Sequence, residues 1–143
     1  MKKKPDWLIE RQVVLEGQTI TYSYDTEGDI LEIFFQKGGG VGVGLTENIV
    51  LRYNRERGEA LSLILHSYSK LIQPTKFGPA SFYLTAVDDL PPAMLQAVMA
   101  LLHSFPVNRF LRVSGLFITP NGDLQPITYL EQPDNLPLAV IPA

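Results

Sequence analysis

The chain has 143 residues, a length typical of one domain, and it contains no cysteine. The missing cysteines exclude disulfide bonds, thiolate zinc sites and cysteine nucleophiles. The formal net charge of −3 gives no electrostatic basis for binding nucleic acid, and no apolar run approaches the roughly 20 residues of a membrane-spanning helix. We therefore expect a cytoplasmic protein with no nucleic-acid or membrane partner.

The first half of the chain is predicted to form strands, because apolar and polar residues alternate along it. Turn sequences separate the first strand from the second and the third from the fourth. Two successive hairpins of this kind form an antiparallel meander with one buried face. The four strands cover residues 20–24, 30–36, 49–54 and 61–65, with Ile20, Tyr22, Tyr24, Leu31, Ile33, Phe35, Ile49, Leu51, Tyr53, Leu61, Leu63 and Leu65 on the buried face.

Two shorter segments flank these strands. Residues 6–14 are compatible with a helix, whereas the Val-Val-Leu sequence at residues 13–15 is compatible with an additional strand. Residues 68–72 predict a short helical turn that ends before Pro74, because the residue before a proline disfavours the helical conformation.

The second half begins after a linker at residues 74–79 and predicts the element order β-α-β-β. A strand over residues 82–87 precedes a helix that starts at the Asp-Asp-Leu-Pro-Pro sequence of residues 88–92 and runs to about His103. A Pro-Asn-Gly-Asp turn then joins two further strands, and a proline-containing tail is predicted to be extended. These last elements cover residues 110–118, 124–130 and 131–143.

Together the elements predict an α+β fold, in which an antiparallel four-stranded meander is followed by a β-α-β-β lobe. We place the two lobes at residues 1–73 and 74–143. The pattern leaves open whether the two lobes form one compact domain.

An acidic segment at residues 25–29 (Asp-Thr-Glu-Gly-Asp) places three carboxylates at alternate positions, as at the start of a calcium-binding loop. A calcium loop of that type ends in a bidentate glutamate at its twelfth position, where this chain has Gln36. Strands rather than helices are predicted on both sides. We therefore interpret the segment as a β-turn and predict neither a metal site nor a cofactor.

Residues 38–44 (Gly-Gly-Gly-Val-Gly-Val-Gly) form a glycine-rich segment. A phosphate-binding loop would continue with Gly-Lys-Ser/Thr into a helix, but here a strand follows. We predict a mobile hairpin connection, whose ligand-binding alternative is a flap that closes over the sheet. In that alternative the contacting residues are Gly39, Gly40, Gly42 and Gly44.

The sequence contains only two histidines, His66 and His103, and each precedes a serine. Neighbouring residues on a strand point to opposite faces, so His66 and Ser67 cannot form a nucleophile–base pair locally. The presence of His103 is explained by its position near a helix C-terminus, where a histidine interacts favourably with the helix dipole and can cap the helix. We therefore predict no catalytic residue. The strand aromatics are assigned to core and cross-strand packing, because no basic groove accompanies them: Tyr22, Tyr24, Phe34, Phe35 and Tyr53.

Several turn and core positions between residues 20 and 70 match a known motif set. They are Tyr24-Asp25, Gly28-Asp29, Leu31-x-Ile33-x-Phe35, Thr46-Glu47-Asn48-Ile49, Gly58, the strand from Leu63 to Ser67, and Ser69. This set resembles the domain-of-unknown-function family 2283, small bacterial β-rich proteins with no established catalytic residues. Some members are thought to act as antitoxins beside toxin-like partners, which implies a protein-binding role. Arg52-Tyr53-Asn54 departs from the family, which usually carries Asp-Tyr-Asp there.

Charge is distributed unevenly along the chain. Residues 1–70 contain 19 charged residues, whereas residues 71–143 contain 8. Charged residues are depleted in the cores of protein interfaces, so we predict a homo-oligomer, most simply a dimer, that associates through the second half. The predicted interface residues are Met94, Val98, Met99, Leu102, Leu138 and Ile141.

These features favour a non-enzymatic interaction or assembly module, with a possible protein partner of the kind the resemblance implies. The alternative is a small-molecule-binding domain that uses the glycine-rich segment as a flap. A third possibility is an enzyme of unrecognised type whose site is completed across an oligomer. A pocket lined by convergent polar groups would favour one of the last two, whereas a large flat apolar patch would favour the first.

Overall fold

The computed structural model describes residues 6–72, 81–84, 90–118 and 124–130. An antiparallel sheet of six strands, in the order β1-β2-β3-β6-β5-β4, forms its first half. The prediction of a four-stranded meander is wrong in two respects. Two further strands lie at the sheet edges, and the third strand pairs with the sixth instead of the next in the chain. The strands are β1 (Leu8–Leu15), β2 (Gln18–Asp25), β3 (Ile30–Phe34), β4 (Val41–Gly44), β5 (Ile49–Asn54) and β6 (Glu59–His66).

The N-terminal segment, which the sequence left open, forms edge strand β1. It pairs with β2 along its whole length through a two-residue turn, Glu16-Gly17. Both turn residues have positive φ, 49° and 79°. A type I′ hairpin turn requires positive φ at both central positions, and glycine adopts it without steric cost. The strand interpretation of residues 13–15 is therefore correct, and the strand extends further than predicted.

Residues 41–44 form the opposite edge strand, β4, which corrects the prediction of a loop throughout the glycine-rich segment. β4 pairs with β5, and the hydroxyl of Thr46 accepts hydrogen bonds from the backbone N–H groups of Asn48 and Ile49, both at 3.1 Å, in the connection between them. Just before β4, a Cβ at Gly40 would collide with the carbonyl oxygen of Tyr53. Only glycine allows this close approach of backbone to backbone.

The core lies on the inner face of the six-stranded sheet. All twelve residues predicted to face inward are buried, none with more than 5% of its surface exposed. Leu61 differs from the other eleven, because the register of β5 and β6 shifts at Arg52/Tyr53. Its side chain approaches Gly38 and Gly40 and lies outside the main core cluster.

The second half of the chain covers this inner face. Helix α2 (Pro92–Leu102) buries Val98 and Leu102 in the same core cluster as the sheet residues. After a 3₁₀ turn at Val107–Arg109, Phe110 packs edge-on against Tyr22, with ring centroids 5.9 Å apart. One core cluster therefore contains residues from both predicted lobes.

The remaining described strands form a second antiparallel sheet in the order β7-β9-β8. With α2 between β7 and β8 in the chain, the predicted β-α-β-β order and the broad α+β class are observed. The predicted capping by Asp88 or Asp89 and the turn at residues 120–123 lie outside the described residues. None of the helices within the described ranges is long and apolar enough to cross a membrane. The new elements are α1 (Tyr68–Leu71), β7 (Ser81–Tyr83), β8 (Leu111–Ile118) and β9 (Leu124–Leu130).

Candidate functional site

The outer face of the six-stranded sheet carries charged and small polar side chains beside apolar ones such as Val50 and Ile64. Strand register aligns Thr21 of β2 with Phe34 of β3, then Ser62 of β6 and Arg52 of β5, in one row across four strands. Because successive residues on a strand point to opposite faces, and each of these residues has an inward-facing neighbour in its own strand, the whole row faces outward. Four residues that are distant in sequence are thereby brought onto one surface.

A hydrogen-bonded group joins three strands beside this row. The hydroxyl of Ser62, which is completely buried, donates to Glu32 Oε2 at 2.9 Å. Arg52 Nη1 lies 3.4 Å from the same hydroxyl and 3.8 Å from Glu32 Oε2. The carboxylate thus holds the guanidinium group on the outer face by charge attraction at long range rather than by a tight bidentate pair.

A pocket of about 590 Å³ opens on the outer face next to Arg52. Its volume falls within the range of roughly 300–1,000 Å³ that is typical of small-molecule sites. The lining combines two cationic side chains, amide and hydroxyl groups, and an aromatic ring. The lining residues are Gln12, Thr19, Thr21, Phe34, Phe35, Gln36, Lys37, Gly38 and Arg52.

The two cations of the pocket keep donors free. Lys37 is exposed, and among the described residues its ammonium group has no hydrogen-bond or ion-pair partner. The contacts of Arg52 within the described part of the chain involve Nη1 alone, which leaves Nε and Nη2 as donors. No aspartate or glutamate is among the lining residues. The pocket can therefore accept a group that needs hydrogen-bond donors and positive charge.

The glycines that the sequence nominated for ligand binding lie beside this pocket rather than in it. Gly38 borders the pocket, whereas Gly39, Gly40, Gly42 and Gly44 are not among the lining residues. Gly42 and Gly44 are exposed positions of strand β4. Backbone pairing of β4 with β5 restricts any flap to the residues before Val41, and ligand binding by the four glycines stays a prediction.

The nominated interface residues fall into three groups. Val98 and Leu102 are buried in the chain's own core, at 0% and 1% exposure. Met94 and Met99 are only partly buried and pack against that core. Leu138 and Ile141 lie outside the described residues. The predicted interface on α2 is untested, and only its two methionines have side-chain surface left for a partner.

The acidic segment at residues 25–29 forms a turn, as predicted. Asp25 Oδ1 accepts hydrogen bonds from the backbone N–H groups of Glu27, at 3.0 Å, and Gly28, at 2.8 Å. Within the described residues no group of three or more acidic or histidine side chains is arranged to hold a metal ion. Asp25 thus acts as an internal cap of the turn.

Asp29 joins the same turn to the start of helix α1. Its carboxylate accepts hydrogen bonds from the Tyr24 hydroxyl at 2.7 Å, the Ser69 hydroxyl at 2.6 Å and the Ser69 backbone N–H at 3.0 Å. Its carbonyl oxygen accepts a fourth, from the Tyr68 backbone N–H at 3.0 Å. Residues far apart in sequence are therefore fixed together at one end of the sheet.

This arrangement changes the acidity of both partners. Partial burial acts to raise the pKa of Asp29, but the hydrogen bonds from Ser69 and Tyr24 outweigh it and place the pKa below the usual 3.8. Burial, followed by the hydrogen bond to Asp29 and the charge of that carboxylate, raises the pKa of Tyr24. Asp29 is consequently an ionised structural acceptor, and Tyr24 is its neutral donor.

The two histidines are separate and exposed. His66 ends strand β6, and His103 follows helix α2 with its backbone N–H bonded to the Met99 carbonyl oxygen at 3.2 Å. Neither belongs to the pocket. His103 therefore lies where the sequence places it, immediately after the C-terminus of helix α2.

The pocket residues were missed by the sequence analysis, although two signals pointed to them. Because Leu31, Ile33 and Phe35 face inward, Phe34 must face outward, on the same side of β3 as Glu32. Arg52 was noted only as a departure from a motif. No local pattern reports that β2, β3, β6 and β5 align these positions.

No known protein family, curated protein or solved structure matches the chain. The resemblance of residues 20–70 to the domain-of-unknown-function family 2283 therefore stays a prediction. The residues on which it depends have structural roles in the fold: Asp25 caps a turn, Asp29 binds Tyr24 and Ser69, and Thr46 closes the β4–β5 connection. They supply no functional site to carry over.

Proposed function

We propose that the protein is a non-enzymatic binding domain that holds a small molecule in the outer-face pocket. The observation that supports this proposal is the convergence of seven polar or aromatic side chains on one cavity of about 590 Å³: Gln12, Thr19, Thr21, Phe34, Gln36, Lys37 and Arg52. Small-molecule sites typically combine such a concave surface with a few convergent polar groups. Of the two functions that the sequence leads us to weigh first, the pocket favours the small-molecule alternative.

The composition of the lining favours binding over catalysis. General acid–base catalysis most often uses histidine or a carboxylate, and neither residue type lines the pocket. Lysine and arginine are suited to neutralising a bound group, and the amides and hydroxyls to orienting it. These residues lie on paired strands or directly after β3, so much of the surface is preorganised by backbone pairing.

A pair of tryptophan variants tests this proposal on the full chain. Thr21→Trp fills the pocket, whereas Ser23→Trp places the same side chain two residues along the same face of β2, outside the lining. With a library of small anions, cations and neutral rings, we expect ligand-induced amide shifts around Phe34 in the wild type and Ser23→Trp. Thr21→Trp is expected to weaken binding at least about tenfold, or 1.4 kcal/mol. Binding that survives Thr21→Trp unchanged would contradict the proposal.

A second function, assembly of copies through edge strand β4, is favoured by a separate observation. Leu45 donates its backbone N–H to the Ile49 carbonyl oxygen at 2.8 Å. This bond shows which residues of β4 are hydrogen-bonded to β5, namely every second residue counted back from Leu45. In an antiparallel pair the intervening residues direct their N–H and C=O groups away from the partner strand. Gly42 and Gly44 therefore direct theirs away from β5, towards the side of β4 on which no described strand pairs.

The two edge strands of the sheet differ in charge, and therefore in how readily they pair with a strand of another copy. Every residue from 38 to 46 is uncharged, whereas β1 carries Glu10 and Arg11. Charged side chains discourage edge-to-edge pairing, and their absence from β4 permits it. Antiparallel pairing of β4 with β4 of another copy is isologous and closes as a dimer. This interface lies in the first half of the chain, whereas the homo-oligomer predicted from the sequence associates through the second half.

Light scattering coupled to size-exclusion chromatography tests this second function. A Cβ at Gly42 would make only ordinary contacts, the nearest at 3.5 Å from Val50, so Gly42→Lys is expected to fold. In a β4–β4 dimer it places like charges opposite each other, and the mass should fall to the monomer value of 16.0 kDa. Val14→Lys, at a 66% exposed position of β1, should leave the dimer intact. A monomeric wild type, or equal effects of both variants, would contradict assembly through β4.

A further inference from the structure

We infer that the ligand of the outer-face pocket is a small organic anion, in which a carboxylate or phosphate group is joined to a planar apolar part. This inference rests on the proposed function and specifies the chemistry of its ligand. Its basis is the combination of two cations, an aromatic ring and no carboxylate in the lining.

Lys37 provides the positive charge that is not already compensated. It is exposed, follows β3 by three residues, and has no ion-pair partner among the described residues. Arg52 lies 3.8 Å from Glu32, so its charge is partly offset before a ligand arrives. Counting Glu32, the site carries a net charge of about +1, and a bound anion removes this imbalance.

Arg52 provides direction in addition to charge. The Ser62 hydroxyl donates to Glu32 Oε2, and the same oxygen faces Arg52 Nη1, so the group holds one edge of the guanidinium. The planar guanidinium keeps Nε and Nη2 as donors, and carboxylates and phosphates accept two such donors side by side. An ammonium ligand would instead meet two like charges.

The apolar part of the ligand is assigned to Phe34. This residue is half-buried on the outer face, where it lines the pocket, and Thr21 pairs with it across the strands. A planar ring packs well on an aromatic side chain. Thr19 and Thr21 add hydroxyl groups at the pocket wall. An anion without an apolar part would leave the Phe34 contact unused and should bind more weakly.

Amide shifts of the isotope-labelled full chain test the inference with probes of matched size. We expect phenyl phosphate and benzoate to shift the amides of Thr21, Phe34 and Lys37, with dissociation constants of about 1 mM or tighter. Phenyl phosphate binding tighter than benzoate assigns the pocket to phosphates, and the reverse order assigns it to carboxylates. Inorganic phosphate should bind several-fold more weakly than phenyl phosphate. Benzylamine, which reverses the charge, should not bind.

A charge-matched pair of variants locates the effect. Lys37→Gln should weaken phenyl phosphate binding about tenfold, as expected for loss of a charged donor, whereas Arg55→Gln removes the same charge from the exposed β5–β6 turn and should leave it unchanged. Both spectra must retain the folded dispersion of the wild type. Equal weakening by the two variants, or benzylamine binding at the same amides, would overturn the anion assignment. If none of the three anions and not the amine either shifted these amides in the wild type, the pocket itself would be overturned.

Discussion

Two polar clusters lie on the six-stranded sheet, and they use their polar groups in opposite ways. At the Asp29 cluster, one carboxylate accepts three hydrogen bonds from Tyr24 and Ser69. At the outer-face pocket, Lys37 has no hydrogen-bond or ion-pair partner within the described residues, and the polar contacts of the Arg52 guanidinium are at 3.4 and 3.8 Å. Counting partners within the described ranges only, the first cluster is saturated and the second is not.

This difference is the basis for the structural role assigned to Asp29 and for the binding role proposed for Lys37 and Arg52. A polar group that is satisfied inside the fold stabilises it, and removing its partner leaves a costly unpaired group. A charged group that is left with free donors beside a cavity contributes little to folding and is available to a ligand. Judged by sequence alone, the acidic turn at residues 25–29 is the more conspicuous of the two, yet the carboxylates of Asp25 and Asp29 accept hydrogen bonds from the chain itself.

The largest expected effect is on stability, at the saturated cluster. Asp29→Ala removes the carboxylate that accepts three hydrogen bonds. It also places alanine at φ 55°, a left-handed backbone conformation that aspartate tolerates better than alanine does. We expect the free energy of unfolding to fall by about 2–4 kcal/mol in chemical denaturation. Phenyl phosphate binding by the folded fraction should be unchanged.

The matched control for this prediction is Glu27→Ala, in the same turn. Its side chain is exposed and has no described hydrogen bond, so the change should stay within about 0.5 kcal/mol. If Asp29→Ala were as mild as Glu27→Ala, the hydrogen bonds at Asp29 would not carry the stability assigned to them.

The inner and outer faces of the sheet also show what the sequence could reveal. Alternation along residues 20–24, 31–35 and 49–53 predicts the inward side chains correctly, because burial on one face is encoded every second residue within each strand. The broad α+β class follows from the same local patterns. The strand count failed at the edges, where β1 mixes charged and apolar residues and β4 resembles a glycine loop.

The pocket could not be predicted, for a physical reason. It exists because β3 pairs with β6, which brings Phe34 next to Ser62 and, through β5, near Arg52. That pairing joins segments about thirty residues apart, and no local pattern distinguishes it from pairing with the next strand. Turn chemistry at Asp25 is local and was predicted, whereas the link from Asp29 to Ser69 spans 40 residues and was not.

A smaller and reversible loss of stability is expected at acidic pH. Because the folded pKa of Asp29 is below its usual 3.8, the ionised form stabilises the fold at neutral pH, and this contribution is lost as the pH falls through the folded pKa. The difference in unfolding free energy between the wild type and Asp29→Asn should therefore be constant above about pH 5 and shrink below the usual pKa. Urea denaturation at a series of pH values measures it. A difference that grows in acid would mean that the folded pKa is raised instead.

The smallest expected effect on stability is at the unsaturated cluster. Lys37→Gln removes a charge from an exposed side chain that has no described partner, so the free energy of unfolding should change by less than about 0.5 kcal/mol. Chemical denaturation of Lys37→Gln and Asp29→Ala under the same conditions compares the contributions of the two clusters to the free energy of unfolding. A loss above about 1 kcal/mol would mean that Lys37 is held by the fold, and the contrast between the clusters would fail. An unchanged stability, together with weaker phenyl phosphate binding, would assign Lys37 to ligand binding, because its side chain would then contribute to binding and not to folding.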